Sequence, residues 1–556
     1  MLMGIDVGGT FTDGVLYRAG KIVKSVKKPT EEDNLKNSLL QVLDELLAAE
    51  DKEQIQRIVL STTLVTNSLA TGRGEKTAMV LLPGYGLPHD SYELKGDTHF
   101  MKGAVDFRGR EIEPLDKEEI RDLLDWIKDS GVKRIALAAK FANRNNVHEL
   151  MLKKRIGEEC DGVHVSISSE ISGKLNFPRR AATTYFTAMT ISEWNRFADQ
   201  IEAALEHRGI KAEVHVLKAD GGTMPLTASR TKPCETVFSG PAASTMGGSA
   251  LTRDKLNSVV VDVGGTTTDL SLIIAGEPLY ASKGAVIENQ LTHVNSFAVR
   301  SIPLGGDSVI TIQGVQSYRL GPAACFGGEQ ATVTDAFNIH LNLNLGEVSQ
   351  SQSKLHAIAQ ELQLDTASLS ARIVEEVSQR LLAEVNDMFR QWENEPAYKV
   401  WEVINQRKFT LDRVIGIGAA APALVPALSG LMQVESFIHE YSPVANALGA
   451  AVVRPTLSVI LHVDTQTKKY TLDPGGIIGT LEKTNNFQMD HARAMARQHL
   501  HTIGQELGME DYTAEADFFL EEQFNMIRGW DRTGKLFEVG IQVSPGFVNE
   551  YEGVTI

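Results

Sequence analysis

The 556-residue chain is long enough for about three or four domains with separate hydrophobic cores. Its formal net charge of −16 excludes nucleic acid and an anionic membrane surface as major partners. Three widely spaced cysteines are typical of a reducing compartment. No apolar run approaches the roughly 18 residues of a membrane span, and no basic segment precedes the first strand, so we expect a cytoplasmic protein without a signal peptide.

The chain opens with an apolar strand that runs into a glycine turn. The residues from Asp6 to Asp13 read D-V-G-G-T-F-T-D and an apolar run follows, which predicts a strand, a tight turn and a returning strand. Helical and strand patterns then alternate as far as Ala139, which indicates an α/β fold. A long helix is predicted from Arg180 to His207. We expect a first domain over residues 1–180.

The same frame returns at residues 262–269, which read D-V-G-G-T-T-T-D between two apolar runs. The two copies are 256 positions apart. This spacing is too long for the repeat unit of a solenoid, and it indicates two related domains. We expect the second domain over residues 181–456, with Val214–Leu217 as its opening strand. Residues 457–556 carry no motif and are assigned to a C-terminal extension of unknown role.

The repeated frame has the chemistry of a phosphate-binding turn. Paired glycines let backbone N–H groups approach an anion, threonine hydroxyls add neutral donors, and an aspartate at the strand end can hold Mg²⁺. No lysine or arginine lies in either loop, so we expect binding through backbone dipoles and a metal ion rather than a P-loop lysine. The expected ligand residues are Gly8, Gly9, Thr10, Thr12, Gly264, Gly265, Thr266 and Thr267, with Asp6 and Asp262 on the metal.

Two further glycine turns follow apolar strands in the second domain. One is Pro303-Leu304-Gly305-Gly306-Asp307, and the other is Gly416-Ile417-Gly418-Ala419. A helix of small residues, from Val444 to Ala451, comes after them and would allow another helix to approach closely.

Taken together, the two frames, the two further glycine turns and the small-residue helix resemble the motifs of the actin-like ATPase superfamily, which includes sugar kinases and heat-shock ATPases. Within it, the chain is more closely similar to the hydantoinase A / 5-oxoprolinase family. The residues that carry this resemblance are the two frames, Thr66-Asn67-Ser68-Leu69, His148-Glu149, Thr183-Thr184, Ser239-Gly240-Pro241-Ala242 and Thr332-Val333-Thr334-Asp335-Ala336.

The resemblance implies two actin-like α/β domains, of the ribonuclease H-like type, that enclose a nucleotide cleft. It implies ATP and Mg²⁺ as cofactors and ATP-dependent opening of a cyclic amide, of the hydantoin or 5-oxoproline type, through phosphoryl activation of the carbonyl. It adds Gly305, Gly306, Asp307, Gly416, Gly418 and Ala419 to the expected nucleotide site, and Asp6, Asp262 and Asp269 as catalytic residues. A hydantoinase B-type subunit or self-association is the expected partner.

The departures from the family pattern concern the substrate. The longer S-A-G-A-x-P-G-P region is reduced to Leu320–Phe326, the GAGGGS stretch is replaced by Leu304–Ser308, and Asn146 stands where the family has proline. An actin-like ATPase that acts on a partner protein, such as an enzyme reactivase, and a small-molecule kinase remain as alternatives.

Four other residues are possible site residues. His148 and Glu149 do not form an H-E-x-x-H motif, and we interpret them as a solvated helix start. Asp335 is open between a helix cap and a catalytic group. Cys325 is interpreted as a small buried residue rather than a nucleophile.

Overall fold

The computed structural model describes residues 1–31, 34–48, 50–72, 74–394, 410–482, 486–528 and 531–554. The first part of the chain contains, in order, β1 (Leu2–Val7), β2 (Phe11–Arg18), β3 (Lys21–Pro29), α1 (Leu35–Leu47), β4 (Arg57–Thr62), α2 (Leu64–Thr71), β5 (Thr77–Leu82), β6 (Asp97–Phe100), β7 (Ala104–Val105), β8 (Glu111–Glu113), α3 (Lys117–Ser130), β9 (Arg134–Ala139), α4 (Val147–Glu159), β10 (His164–Ile167), α5 (Ser168–Ile171), α6 (Phe177–His207), β11 (Glu213–Leu217), β12 (Thr223–Pro225), α7 (Leu226–Ser229) and α8 (Ser239–Thr252).

The second part contains β13 (Ser258–Val263), β14 (Thr268–Ile274), β15 (Glu277–Pro278), β16 (Val286–Ile287), β17 (Gln290–Leu291), β18 (Val299–Ile302), β19 (Ser308–Thr311), β20 (Gly314–Arg319), α9 (Val333–His340), α10 (Val348–Glu361), α11 (Thr366–Glu393), β21 (Arg413–Ile417), α12 (Ala421–Met432), β22 (Glu435–Phe437) and α13 (Ala445–Val452).

The last part contains β23 (Leu457–Asp464), β24 (Lys469–Asp473), β25 (Ile477–Thr480), α14 (Met489–Glu506), α15 (Glu510–Thr513), β26 (Asp517–Arg528) and β27 (Asp531–Val543). Short 3₁₀ turns cover Lys52–Gln54, His89–Ser91, Pro233–Thr236, Ala324–Phe326 and Ser442–Val444. Among the described residues, no helix combines the length and apolarity that a bilayer crossing requires.

Two sheets share one topology, and each contains one copy of the repeated frame. The first has the order β12-β11-β4-β1-β2-β3, and the second has β15-β14-β13-β21-β22, with β18 also paired to β14. In both, the strand that enters the frame is antiparallel to the strand that leaves it and parallel to a strand on its other side. The repeated frame therefore corresponds to two sheets with related strand order.

One strand lies in a different sheet from the one that we predicted. The segment Val214–Leu217 was expected to open the second domain, but β11 pairs in parallel with β4 and belongs to the first sheet. That interpretation is wrong because the partner of a parallel strand is distant in the sequence, so the pattern within the strand itself does not show which sheet it joins. The predicted boundary at residue 180 also falls inside α6. The division into 1–180, 181–456 and 457–556 stays a prediction.

We call the parts of the molecule built on the first and the second of these sheets the first and the second lobe. A smaller α/β unit is inserted in the first lobe. Its sheet has the order β10-β9-β5-β6, and α3 and α4 contribute to a separate apolar core beside it. The C-terminal residues form another sheet, β25-β24-β23-β27-β26, with α14 packed on it. The chain then returns to the first lobe, where the Tyr17 hydroxyl donates to the Gly553 carbonyl oxygen at 2.9 Å.

Helices α8 and α13 cross between the two lobes at backbone contact distance. An ideal Cβ at Gly247 would lie 2.2 Å from the Ala445 carbonyl oxygen, and one at Gly449 would lie 2.4 Å from the Ala243 carbonyl oxygen. A Cβ at Gly4 on β1 would lie 2.0 Å from the Ala447 carbonyl oxygen. The small-residue helix predicted from Val444 to Ala451 therefore packs closely on both a helix and a strand.

We expect Gly247→Ala to destabilise the protein by about 1–3 kcal/mol, because the new methyl group meets main-chain atoms that cannot rotate away. Gly240→Ala is the control in the same helix, since nothing lies within 4 Å of its Cβ position. Its unfolding free energy should stay within about 0.5 kcal/mol of the wild type. Denaturant unfolding measures both, and equal stability of the two variants would contradict this packing.

Candidate active site

The two glycine turns have the same geometry. The Gly8 N–H donates to the Phe11 carbonyl oxygen at 3.1 Å, and the Gly264 N–H donates to the Thr267 carbonyl oxygen at 3.0 Å. Gly9 and Thr266 are exposed at the turns, while Gly8, Thr10, Gly265 and Thr267 are half-buried. Nothing lies within 4 Å of the Cβ position of Gly9, so the first turn opens onto free space.

The carboxylates at the two strand ends converge on one amide. The Asn446 side-chain nitrogen lies 3.0 Å from an Asp262 carboxylate oxygen and 3.4 Å from an Asp6 carboxylate oxygen. Ser244 on α8 also donates to Asp262. The Asn446 side-chain oxygen is buried and has no hydrogen-bond partner among the described residues. The two frames, 256 positions apart in the chain, thus meet at α13.

Each of these two aspartates faces another carboxylate on the partner strand of its hairpin. Asp13 pairs in register with Asp6, and Asp269 pairs in register with Asp262. Lys27 donates to both Asp13 carboxylate oxygens, at 2.7 and 2.8 Å, and to the Pro443 carbonyl oxygen. One Asp269 oxygen is buried without a partner among the described residues.

Burial of these carboxylates disfavours their charged forms. It raises the pKa of Asp6 to about 7, and the charges of Asp13 and Asp262 act in the same direction, while hydrogen bonds from Ser61 and Asn446 oppose it. It raises the pKa of Asp13 to about 6 against the opposing effect of Lys27. Burial, followed by the charge of Asp262, raises the pKa of Asp269 to about 7. A cation bound here would relieve this repulsion.

The Pro303–Asp307 turn lies on the second hairpin. The Gly306 N–H donates to the Gly264 carbonyl oxygen at 2.9 Å, and the Asp307 N–H donates to the Gly265 carbonyl oxygen at 2.8 Å. An ideal Cβ at Gly265 would lie 2.5 Å from an Asp307 carboxylate oxygen, so the second turn is partly covered and the first is not.

The Gly418 backbone completes this side of the site. It has a φ of +88°, and an ideal Cβ there would lie 2.5 Å from the Val263 carbonyl oxygen and 2.9 Å from an Asp262 carboxylate oxygen. Both the left-handed φ and the close approach require glycine. Ala419 beside it is exposed.

Two predicted ligand residues do not reach the open space. Thr12 is fully buried, and its hydroxyl lies 2.9 Å from the hydroxyl of Thr30, which directly follows β3, because the position of Thr12 in the strand directs it into the lobe. Gly416 is buried in β21, where its Cβ position lies about 3 Å from Val425 and Ala421 of α12. Gly416 permits helix packing and is not a surface of the cleft.

Two cations reach the hairpins from outside the repeated frames. Besides Lys27, Arg319 at the end of β20 donates to the Thr10 hydroxyl at 2.9 Å and lies 3.7 Å from an Asp307 carboxylate oxygen. The two loops themselves contain no lysine or arginine, as expected, and these two cations come from β3 and β20. Asp13 was missed although it occupies the same frame position as Asp269, so the repeat itself contained the signal.

The other weighed residues have structural roles. His148 and Glu149 are buried, so the prediction of a solvated helix start is wrong. Glu149 accepts from the Ala139 and Ser169 N–H groups, at 2.9 and 3.0 Å, and ties three elements together. Asp335 is fully buried and closes the capping box of α9 with Thr332. Cys325 is buried as predicted, and burial raises the pKa of its thiol to about 11.

Family models match almost the whole span of the two lobes. The hydantoinase/oxoprolinase N-terminal region matches residues 2–160, and the hydantoinase/oxoprolinase model matches residues 180–458. The chain belongs to the hydantoinase/oxoprolinase family. The family predicted from the motifs is confirmed.

Curated relatives of the family have several activities. The caprolactamase subunit alpha of Pseudomonas jessenii is 26% identical over 62% of this chain and 54% of its own length. The acetophenone carboxylase gamma subunit of Aromatoleum aromaticum is 23% identical over 94% of this chain and 77% of its own length. The 5-oxoprolinase of Saccharomyces cerevisiae is 24% identical over 80% and 40%. The chain spans little more than half the length of the first of these.

Two solved structures confirm the α/β fold. The ATP-dependent caprolactamase from Pseudomonas jessenii superposes with a TM-score of 0.69 at 18% identity, covering 97% of this chain and 87% of that one. A nucleotide-free acetone carboxylase superposes with a TM-score of 0.69 at 17% identity, covering 98% and 87%. The match extends over the C-terminal sheet, so that sheet belongs to the shared fold.

The carboxylate cluster predicts a stability that falls as the pH rises. A carboxyl group whose pKa is raised by folding stabilises the protein fully below its unfolded pKa of about 4, and this contribution is lost as the pH rises through the folded value. For Asp6, Asp13 and Asp269 that window lies between about pH 4 and 7.

We therefore expect Asp6→Asn to be more stable than the wild type at pH 8, by on the order of 1–4 kcal/mol, and to equal it at pH 4. Asp122→Asn is the control, because Asp122 is exposed on α3. Urea unfolding at several pH values measures the difference, and parallel pH profiles for Asp6→Asn and the wild type would contradict it.

Proposed function

We propose that the protein is an ATP-dependent hydrolase that opens a cyclic amide of the hydantoin or 5-oxoproline type. The observation that supports this most directly is the convergence of the two glycine turns and of Asp6 and Asp262 on Asn446. Membership of the hydantoinase/oxoprolinase family and the relatives named 5-oxoprolinase and caprolactamase support the cyclic amide as the substrate class. No observation favours a reactivase or a small-molecule kinase.

The residues of the cleft fit a nucleotide and Mg²⁺. The N–H groups of the turns at Gly8-Gly9 and Gly264-Gly265 would bind phosphate oxygens, and Arg319 lies where it can neutralise them. Mg²⁺ in nucleotide sites is held by one or two carboxylates together with phosphate oxygens and water. Asp6 and Asp262 would provide those carboxylates, and the unpartnered Asn446 oxygen would accept a hydrogen bond from a metal-bound water.

The chemistry of the proposed reaction follows from the weakness of an amide as an electrophile. When bound, ATP would supply a phosphoryl group to the carbonyl oxygen of the amide, which makes the carbonyl carbon a better electrophile. Water would add to that carbon, the ring C–N bond would break with the amine nitrogen taking up a proton, and a second water would release the phosphate. The protein positions the reactants and neutralises charge, which are the main contributions in phosphoryl transfer. Asp269 would accept the proton of the attacking water, because a buried carboxylate with a pKa of about 7 is half-deprotonated near neutral pH.

We also propose that the protein works with a second subunit of the hydantoinase B type. Two relatives are named as subunits of larger assemblies, and this chain covers 54% of the caprolactamase subunit.

The three cysteines are free and buried, which supports the proposed cytoplasmic location.

The nucleotide site is tested by Gly9→Val. The new side chain meets no protein atom within 4 Å of its Cβ, so the fold should persist, but it would occupy the space proposed for the phosphates. We expect ATP–Mg²⁺ affinity in isothermal titration to fall at least about tenfold, with unchanged thermal unfolding. Gly157→Val, at an exposed position on α4 with nothing within 4 Å of its Cβ position and no left-handed φ, is the control for replacing a glycine with valine. Wild-type affinity in Gly9→Val would contradict the proposed site.

The activity is tested by ATP hydrolysis in the presence of hydantoin, 5-oxoproline and caprolactam, with and without a B-type subunit. At least one cyclic amide should stimulate hydrolysis and be opened, and stimulation by none of them would contradict the proposed function.

Asp262→Asn should keep the fold and lower turnover by about 10²–10³, because it removes one charge at the proposed metal. Glu361→Gln, which removes one charge at an exposed position on α10, should retain wild-type turnover. Turnover of Asp262→Asn within a few-fold of the wild type would leave Asp262 with a structural role only.

A further inference from the structure

A cavity lies between the inserted α/β unit and the C-terminal sheet, apart from the two glycine turns. Its volume is about 230 Å³, and a second cavity of about 100 Å³ adjoins it. Both are lined by Arg144, Leu175, His462 and Glu538, which come from three distant parts of the chain. No residue of either glycine turn lines them, so this space is distinct from the proposed nucleotide site.

Two opposite charges in this cavity lack partners. The Arg144 guanidinium forms no hydrogen bond or ion pair with a described residue, and the same holds for the Glu538 carboxylate. Burial lowers the pKa of Arg144 and raises that of Glu538, while the attraction between the two charges opposes both shifts. The two side chains face the same cavity without forming a direct ion pair. By contrast, Arg108 and Asp464 in the same wall form an ion pair at 2.8 Å.

Neutral polar atoms in the same place are also unsatisfied. Asn143, only 6% exposed, lines the smaller cavity, and neither its side-chain nitrogen nor its oxygen has a partner among the described residues. The His462 Nδ1 atom is likewise buried without a partner. His462 pairs in register with Glu538, and burial lowers its pKa to about 3, so it is a neutral donor and acceptor beside that carboxylate. Buried polar groups in native proteins are nearly always hydrogen-bonded, so this cluster requires partners supplied by water or by a bound ligand.

The remaining walls are mixed, with the Arg108–Asp464 pair and Lys469 on one part of the lining and aromatic and aliphatic side chains on another. Phe107 and Phe524 lie at the cavity with 65% and 55% of their surface exposed, and Phe141 and Leu536 lie beside them. Such walls would enclose a short carbon skeleton and leave its charged ends to Arg144 and Glu538.

We propose that this cavity binds a small zwitterionic amino acid, with its carboxylate on Arg144 and its ammonium group on Glu538. A simple carboxylate would leave Glu538 unpaired, and a simple amine would leave Arg144 unpaired, so only a molecule with both groups satisfies the pair. Asn143 and His462 would supply neutral hydrogen bonds to the same groups. Opening of a lactam such as 5-oxoproline releases an amino acid with a free ammonium group, so the ligand class is also that of one proposed product, but the binding inference does not require that activity.

Isothermal titration of the full chain without nucleotide tests the proposal. The ligands are leucine and 6-aminohexanoate, compared with hexanoate and hexylamine at up to about 10 mM. At least one zwitterion should bind, and removal of either charged group should weaken binding at least about tenfold. The proposal is overturned if no zwitterion binds, or if hexanoate or hexylamine binds as tightly.

Paired variants locate the ligand. Arg144→Gln and Glu538→Gln should each weaken the zwitterion at least about tenfold. The controls Arg372→Gln and Glu375→Gln, at exposed positions on α11, should leave it unchanged. Thermal unfolding and ATP–Mg²⁺ binding should be unchanged in all four, which separates this site from the nucleotide site.

A further variant keeps both charges and fills the space. Leu175→Trp, at a lining residue that is 49% exposed, should also abolish amino acid binding. Wild-type affinity in Arg144→Gln, Glu538→Gln and Leu175→Trp would place the ligand elsewhere and overturn the proposal.

Discussion

The bridge from Asp6 through Asn446 to Asp262 is the interaction on which the arrangement of the two lobes depends. Two buried carboxylates that approach each other repel, and this repulsion costs more in a protein interior than in water. A neutral amide between them reduces that cost, because one N–H₂ group can donate to both sides. The amide reaches this position only because α13 lies against β1 and α8 at distances that exclude any Cβ on Gly4, Gly247 and Gly449.

The close packing of small residues therefore also determines the electrostatics of the cleft, because it holds Asn446 between the two carboxylates. A larger residue in the α8–α13 contact would displace Asn446 and leave the carboxylates unscreened, although it would touch neither of them. The symmetry of the two sheets makes the same demand from both sides, since each places its aspartate at the end of the strand that enters the turn. The asymmetry arises later in the chain, where the Pro303–Asp307 turn covers only the second hairpin.

Local patterns predicted the parts of this structure that are built locally. The glycine turns and the hairpin strands beside them follow from residues within a few positions of each other, and they are present. For Asp335 the sequence left a helix cap and a catalytic role open, and the structure contains the cap. Long-range pairings were not predictable in this way. The sheet to which β11 belongs is set by β4, and Arg319 reaches Thr10 across 309 positions of the chain. His148 and Glu149 were misread because a charged helix start usually faces water, whereas here Glu149 meets buried N–H donors.

The return of the chain to the first lobe has a mechanical consequence for the C-terminal sheet. This sheet begins a few residues after α13, and the segment that follows it is fixed by the hydrogen bonds of Tyr17 to Gly553 and of Tyr551 to Ala250. A unit attached at both ends cannot rotate about a single hinge. Any movement between the two lobes must therefore carry the C-terminal sheet together with β2 and α8, to which the segment after the sheet is hydrogen-bonded.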